Sequence, residues 1–468
     1  MKKDVFLIVV ILFAFFSVFV LYLDYIGVPI NWISFFESPS LGDQEDFVSL
    51  DSDLDSPITE PHSSTLRFAA VGDLWMSGYP DQWALPNLVK NFNVDLILFL
   101  GDLNYECGAR DTFKKNLDAW GQLFINNPDA PLDMRFSHKS DAVPILAVMG
   151  NHEVWKEDYL KQSPCRYPSA GGYRTSQETV PHVLGFTLPE TIKGNERYYK
   201  YKQGPLEVFA INSWGQNVFN LAENPVESDG VSKDSIQAQN IKSWSESSTA
   251  PWQIAILHHP PFSSDDRDNS VMRWPFQNWG IDVVLAGHYH IFEAMRVTDP
   301  NSGLQNFPMV VNGAGGKDLS RPWRANPHSK LIYNKDFGVI IGEVTETSLK
   351  LSFYSLDGCA NRQDCTNPKL IFQDEIKKPT ISSDDIFLVI GSDKNVVFIS
   401  GADFDADVSV FLDDVEVPEV TYISSSSLSF VVPEHYFPGT YKVTVYNKIS
   451  RQKSNAISIN IIPPFSQD

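Results

Sequence analysis

From Leu66 onward the chain alternates short apolar runs with polar or amphipathic stretches. The runs at 67–71, 94–100, 143–149, 206–211, 253–257, 283–286, 308–311 and 337–344 are rich in Val, Ile, Leu and Phe. Short apolar runs bounded by turn residues predict strands buried on both faces. Between them, 81–91, 113–125 and 233–247 read as helices. Strands alternating with helices predict an α/β domain with both sheet faces covered. Ligands of such domains bind outside the carboxyl ends of the strands.

The pattern shifts at both ends. Residues 5–23 form one apolar run of nineteen residues behind Lys2 and Lys3. As a helix it would be about 28 Å long, close to the hydrocarbon thickness of a bilayer. No A-x-A site follows, so an uncleaved, single-pass signal anchor is expected, with a cleaved secretory signal as the alternative. The two lysines keep the N-terminus cytoplasmic, which places everything beyond Asp24 outside the cell membrane. Residues 37–64 are acidic, contain Ser and Pro, and lack apolar periodicity; they predict a flexible stalk. Beyond 377 helical periodicity is lost, and VVFISGADF, VSVFLDD, LSFVVP and GTYKVTVYN alternate as strands, predicting a small β-sandwich. The expected organisation is an anchor at 1–24, a linker at 25–65, a catalytic domain at 66–376 and a β-sandwich at 377–468.

Composition narrows the partners. A chain of 468 residues with 43% hydrophobic residues and a formal charge of −21 is folded and large enough for several domains. That charge excludes nucleic acid, which needs clustered Lys and Arg. An anionic substrate could be held only where local cations, metals above all, overturn the global field. In an exported protein the four cysteines meet an oxidising compartment. Cys359 and Cys365 enclose a short polar loop and are expected to bridge; Cys107 and Cys165 would then join two active-site loops. No C-x-x-C pair suggests a zinc site.

Candidate chemistry is concentrated in five segments: GDLW, GDLNY, GNHE, HH and GHYH. They place Asp73, Asp102, Tyr105, Asn151, His152, His258, His288 and His290 each just after an apolar run. Leaving His152 aside, seven oxygen and nitrogen donors without a thiolate suit hard to borderline cations. Seven are too many for one tetrahedral site and enough for two metals sharing a carboxylate. Such a pair clamps the attacking and leaving oxygens of a displacement at phosphorus.

These segments resemble the metallophosphoesterase (calcineurin-like) superfamily, and within it the purple acid phosphatases, over residues 66–355. The resemblance implies a four-layer α-β-β-α sandwich and a phosphomonoesterase that attacks its substrate with metal-bound hydroxide. It implies Fe(III) on Asp73, Asp102, Tyr105 and His290, and a divalent ion (Fe, Zn or Mn) on Asp102, Asn151, His258 and His288, with Asp102 bridging. His152 would touch the phosphate or assist the leaving group. Generic superfamily members carry Asp-x-His in the first segment; Trp75 stands there instead, and the Tyr105 phenolate compensates. The C-terminal stretches ISGADFDADVSVFLDDVEV and VVPEHYFPGTYKVTVYN resemble the immunoglobulin-like IPT/TIG domain, implying a protein or glycan partner there.

Other residues near the motifs carry plainer expectations. His259 reads as a packing residue and the GAGG run 313–316 as tight packing beside the site. Glu153 either orients His152 or lies on a solvated loop. Unlike mammalian-type purple phosphatases, the loop PFSSDDRDNSVMRW has no histidine; Asp265, Asp266 or Arg267 occupies that region. Two rivals remain: a phosphodiesterase acting on nucleotides or cell-envelope phosphodiesters, and a surface binding or adhesion protein with a vestigial phosphatase domain.

Overall fold

The computed structural model describes residues 65–74, 84–103, 105, 120, 143–154, 193–194, 197–214, 229–265, 269–322, 324–382, 386–389, 395–433, 435–450 and 452–462. The anchor and stalk expected before residue 65 lie outside that set, as do Trp75, Cys107, Cys165, Asp266, Arg267 and the expected helix at 113–125 apart from Trp120. Among the described residues no helix is long and apolar enough to cross a membrane.

Two mixed sheets make the first part of the molecule. One contains β1 (Leu66–Val71), β2 (Leu96–Phe99), β3 (Ile145–Ala147), β12 (Gly338–Val344), β13 (Ser348–Ser355) and β14 (Lys369–Lys377), in the order β14-β13-β12-β1-β2-β3. The other contains β4 (Lys193–Gly194), β5 (Tyr199–Gln203), β6 (Leu206–Ala210), β7 (Trp252–Leu257), β8 (Val283–Ala286), β9 (Phe292–Asp299), β10 (Leu304–Asn312) and β11 (Ser329–Tyr333). Its order is β11-β9-β10-β8-β7-β6-β5-β4. Each sheet contains a run of parallel strands: β1, β2 and β3 in the first, and β6, β7, β8 and β10 in the second. Their carboxyl ends therefore share one edge.

The alternation of side chains along each strand builds the layers. Phe68, Ala70, Leu96 and Leu98 meet Val208, Ile254, Ile256 and Leu285 between the sheets. The opposite faces carry Ala69, Val71, Ile97 and Phe99 against Leu85, Leu88 and Val89 of α1 (Ala84–Asn91). On the second sheet, Phe209, Ala255 and Val284 pack with Ala238 and Ile241 of α3 (Ile236–Glu246) and with Phe276 and Trp279 of α4 (Phe276–Trp279). α2 is the single turn Asn151–Val154. This is the expected α-β-β-α order of layers. Trp252 and Phe68 are fully buried in the middle layer, and burying a side chain of that size contributes about 1.5–3 kcal/mol.

The observed helix at 233–247 starts later than expected, at Ile236, because the Ser235 hydroxyl caps it by accepting the Ala238 amide hydrogen at 3.2 Å. The antiparallel members β5, β9, β11, β13 and β14 had no counterpart in the expected strands. Cys359 and Cys365 form the expected disulfide, with Cα atoms 5.2 Å apart.

The C-terminal part is all β. A four-stranded sheet includes Val396–Ala402 and Ser427–Val431, and a second sheet includes Val408–Leu412, Gly439–Asn447 and Ile457–Ile462. Ile399, Val410, Leu428, Phe430, Val445 and Ile459 fill the space between them. This sandwich meets the second sheet at the amino ends of β7 and β8. Asp282, just before β8, accepts a hydrogen bond from Gln452 Nε2 at 3.0 Å and lies 3.6 Å from Lys378 Nζ. The same lysine sits 4.5 Å from the Trp252 ring.

Candidate metal centre

The shared carboxyl edge carries all eight residues singled out in the five segments. Asp73 follows β1, Asp102 follows β2, Asn151 and His152 follow β3, His258 follows β7, and His288 and His290 follow β8. Asp73, Asp102 and His288 adopt left-handed backbone with φ of 60°, 51° and 71°. Each such residue costs on the order of 1 kcal/mol, although Asp and His tolerate the region better than most. At 0%, 1% and 6% exposure, these three are turned into the crevice between the sheets and not toward solvent. Gly101, at φ 86°, permits the close approach: a Cβ there would stand 2.5 Å from His258 Nδ1. A Cβ on Gly150 would fall on the Asp102 carboxylate.

The donors sort into two groups. In the first, Tyr105 Oη donates to Asp73 Oδ1 at 2.8 Å and lies 3.0 Å from His290 Nε2, which is 3.3 Å from the same Asp73 oxygen. In the second, His258 Nε2 lies 3.1 Å from Asn151 Oδ1, 3.2 Å from His288 Nδ1 and 3.3 Å from Asp102 Oδ2. Asp102 joins the groups, because its carboxylate, that of Asp73 and a ring nitrogen of His258 all lie within 4.8 Å of one another. His152 stands on the more open side, Nε2 3.9 Å from Asp102 Oδ2 and its ring 4.2 Å from that of Tyr105.

Neighbouring groups set the ring orientations. His258 Nδ1 donates to the Leu100 carbonyl at 2.8 Å and His290 Nδ1 to that of Asp318 at 3.0 Å. Both contacts leave Nε2 facing the donors, the arrangement that fixes a ligating imidazole. Glu153 is not the solvated loop residue that was one of its two expected roles. Fully buried, it accepts hydrogen bonds from the amides of Asp102 (3.0 Å), Leu103 (2.8 Å) and Gly150 (2.6 Å), fastening the loop after β2 to the loop after β3. His259 has its ring beside those of His258, His288 and Trp214, with a ring nitrogen within 4.8 Å of ring nitrogens of both histidines, close enough to share an ion with them. Its Nδ1 meets Ser213 Oγ at 2.9 Å, while its buried Nε2 has no hydrogen-bond partner. The GAGG run is tight packing: a Cβ on Gly313 or Gly315 would collide with backbone oxygen of Tyr289 or Gly72.

The closeness of these buried groups shifts the proton affinity of each. Burial alone would raise the pKa of Asp102, but His258, with His152 and His288, holds it far below the usual carboxylate range. Burial opposes a charge on His258, yet the charge and hydrogen bond of Asp102 outweigh it and raise the imidazole to about 9. His290 is likewise raised, burial being overcome by Asp73. Burial, followed by the charges of Asp73 and Asp102, pushes the Tyr105 phenol well above its ordinary value. His152 moves the other way, lowered chiefly by burial. Carboxylates, imidazoles, a phenol and an amide, buried and mutually within bonding reach, fit two hard to borderline cations; binding them would displace these protons.

Residues 66–292 match the family model of calcineurin-like phosphoesterases, and residues 379–458 that of the IPT/TIG domain. The chain carries a calcineurin-like phosphoesterase domain followed by an IPT/TIG domain. The phosphoesterase region is similar to purple acid phosphatase 23 of Arabidopsis thaliana, at 23% identity over 280 residues, 55% of this chain and 52% of that protein. It is also similar to probable purple acid phosphatase 20 of the same plant, at 23% identity over 302 residues, 60% of this chain and 59% of the relative. The chain thus spans little more than half the length of these relatives. Among solved structures, the NAD nucleotidase NadN of Haemophilus influenzae superposes with a TM-score of 0.32 at 12% identity, covering 69% of this chain and 58% of that one; so distant a likeness bears on neither fold nor function. For the phosphoesterase domain the family implies a dinuclear metal site.

Two features beside the centre went beyond the sequence-based expectations. One is the clamp at Glu153. The other is a cationic loop after β10, with Lys317 Nζ 5.1 Å from the Tyr105 ring and Arg321 and Arg324 further along. A signal for it existed: KDLSRPWR concentrates three cations in a chain of net charge −21.

Proposed function

We propose that the protein is a metal-dependent phosphomonoesterase of purple-acid-phosphatase type, held on the outer face of a cell membrane by residues 1–24. The observation that carries this reading is the partition of seven donors into two groups joined by Asp102. Asp73, Tyr105 and His290 would hold Fe(III) with Asp102; Asn151, His258 and His288 would hold the divalent ion with the same aspartate. Two bound cations would polarise the phosphoryl group and supply a water that is deprotonated near neutrality. As the new phosphorus–oxygen bond forms, the bond to the leaving oxygen breaks, and that oxygen departs with the electron pair and takes up a proton. His152, beside the centre and outside both donor groups, is placed to contact the phosphoryl oxygens and deliver that proton. Buried Asp102 keeps its charge and would be a ligand to both cations. The Cys359–Cys365 disulfide and the apolar run at 5–23 support an exported location.

Metal analysis joined to a visible spectrum tests the centre. The purified protein is expected to carry two metals per chain and a phenolate-to-Fe(III) absorption that Tyr105→Phe removes with the fold intact. Colour that survives the substitution would exclude Tyr105 as a ligand. Because the phenol must lose its raised-pKa proton on binding, iron uptake should strengthen as pH rises. In a panel of mono- and diesters, a diester preference of about tenfold, some 1.4 kcal/mol, would overturn the monoesterase assignment.

A further inference from the structure

We infer that a cleft walled by Arg321 and Arg324 binds a second phosphate carried by the substrate's leaving group. The inference rests on the phosphoesterase reading above. It narrows the preferred substrates to phosphoesters and phosphoanhydrides whose leaving group is itself phosphorylated.

The cleft, about 950 Å³, adjoins the metal centre, since Tyr289, between His288 and His290, forms part of its wall. The loop bearing the arginines is tied to the centre. Ser320 N donates to the His290 carbonyl at 2.9 Å, and the Asp318 carbonyl accepts from His290 Nδ1. The facing wall is equally fixed. Asn326 donates from its backbone to Ser264 Oγ at 2.7 Å and from Nδ2 to the Ser263 carbonyl at 2.9 Å. Ser264 is held in turn by the buried Glu293, which accepts from its amide and hydroxyl.

Charge makes the cleft selective. Arg67, Arg296 and Arg362 are all paired with carboxylates. Arg321 and Arg324 have no ion-pair partner among the described residues. Asp265 also lines the cleft, leaving two cations against one anion among the described residues. In a chain with 58 acidic and 37 basic side chains, two unneutralised arginines on one wall call for an anion from outside. A guanidinium offers paired donors matched to phosphate oxygens. The volume exceeds what a phosphate needs and leaves room for the group joining the two phosphates.

The test uses the full-length, metal-loaded protein and compares phenyl phosphate, a hexose bisphosphate and phosphoglycolate. Wild type is expected to favour the bisphosphate over phenyl phosphate by about tenfold or more in kcat/KM, the scale of charge-assisted hydrogen bonds. Arg321→Ala/Arg324→Ala should erase that preference, chiefly through KM, and leave phenyl phosphate within about twofold, with Arg→Lys recovering part of it. Equal losses on both substrates, or no loss on either, would overturn the inference. Equal preference for phosphoglycolate would overturn the assignment of phosphate. Calorimetry with methylenebisphosphonate separates the two readings. Binding that depends on the arginines, without turnover of any ester, refutes the phosphoesterase and keeps the cleft; hydrolysis without arginine-dependent binding does the reverse.

Discussion

Asp73, Asp102 and His288 in the phosphoesterase region share a rare backbone with Asp403, Asp413 and Asp414 in the sandwich, every φ lying between 46° and 71°. The second set is exposed. Asp413 and Asp414 are the two residues between strands Val408–Leu412 and Val415–Glu416, where a tight hairpin demands positive φ at both positions. The first set is buried and lies at the ends of parallel strands, where no hairpin exists. In the sandwich hairpin the left-handed residues reverse the chain; at the metal centre they aim side chains. The comparison teaches that strain of equal size carries functional information only where burial and topology offer no simpler cause.

Three substitutions sharpen the contrast. Asp102→Asn keeps a residue that tolerates the left-handed region and removes the charge. It is expected to cost both cations and all detectable hydrolysis, measured by metal content and turnover; retention of either metal would show that Asp102 does not bridge. Glu153→Gln comes next. The amide presents one acceptor and two donors to three N–H groups that now meet a carboxylate, so metal affinity should fall about 10–100-fold, read by competition with a chelator at unchanged secondary structure. Smallest is Asp414→Gly. Glycine relieves the left-handed cost of about 1 kcal/mol at the loss of an exposed ion pair to Lys453 worth little. Stability should therefore change by no more than about 1 kcal/mol in either direction, with metal content and turnover unaltered.

The centre was legible in the sequence because each donor directly follows an apolar run, so one-dimensional order translates into a shared sheet edge. Tyr105 was legible for a different reason, as compensation for the histidine replaced by Trp75. Glu153 was not, because a carboxylate facing three backbone amides looks in sequence like any charged residue after a turn. Arg321 and Arg324 were missed because their position depends on long-range ties, Ser320 to His290 and Asn326 to Ser264. Among the strands, β14 escaped notice since all of its side chains are exposed or half-buried, and β9 because Glu293, Arg296 and Thr298 break its apolar run. Strands with continuous apolar runs announce themselves; β9 and β14, whose runs are broken or exposed, borrow their stability from neighbours.

The joint at Asp282 also fixes a direction. β8 runs from the sandwich contact at its amino end to His288 beyond its carboxyl end, as β7 runs from Trp252 to His258. Handle and mouth thus occupy opposite poles of the same strands. A partner bound to the sandwich at that joint would therefore leave the opening at the other end of the strands uncovered.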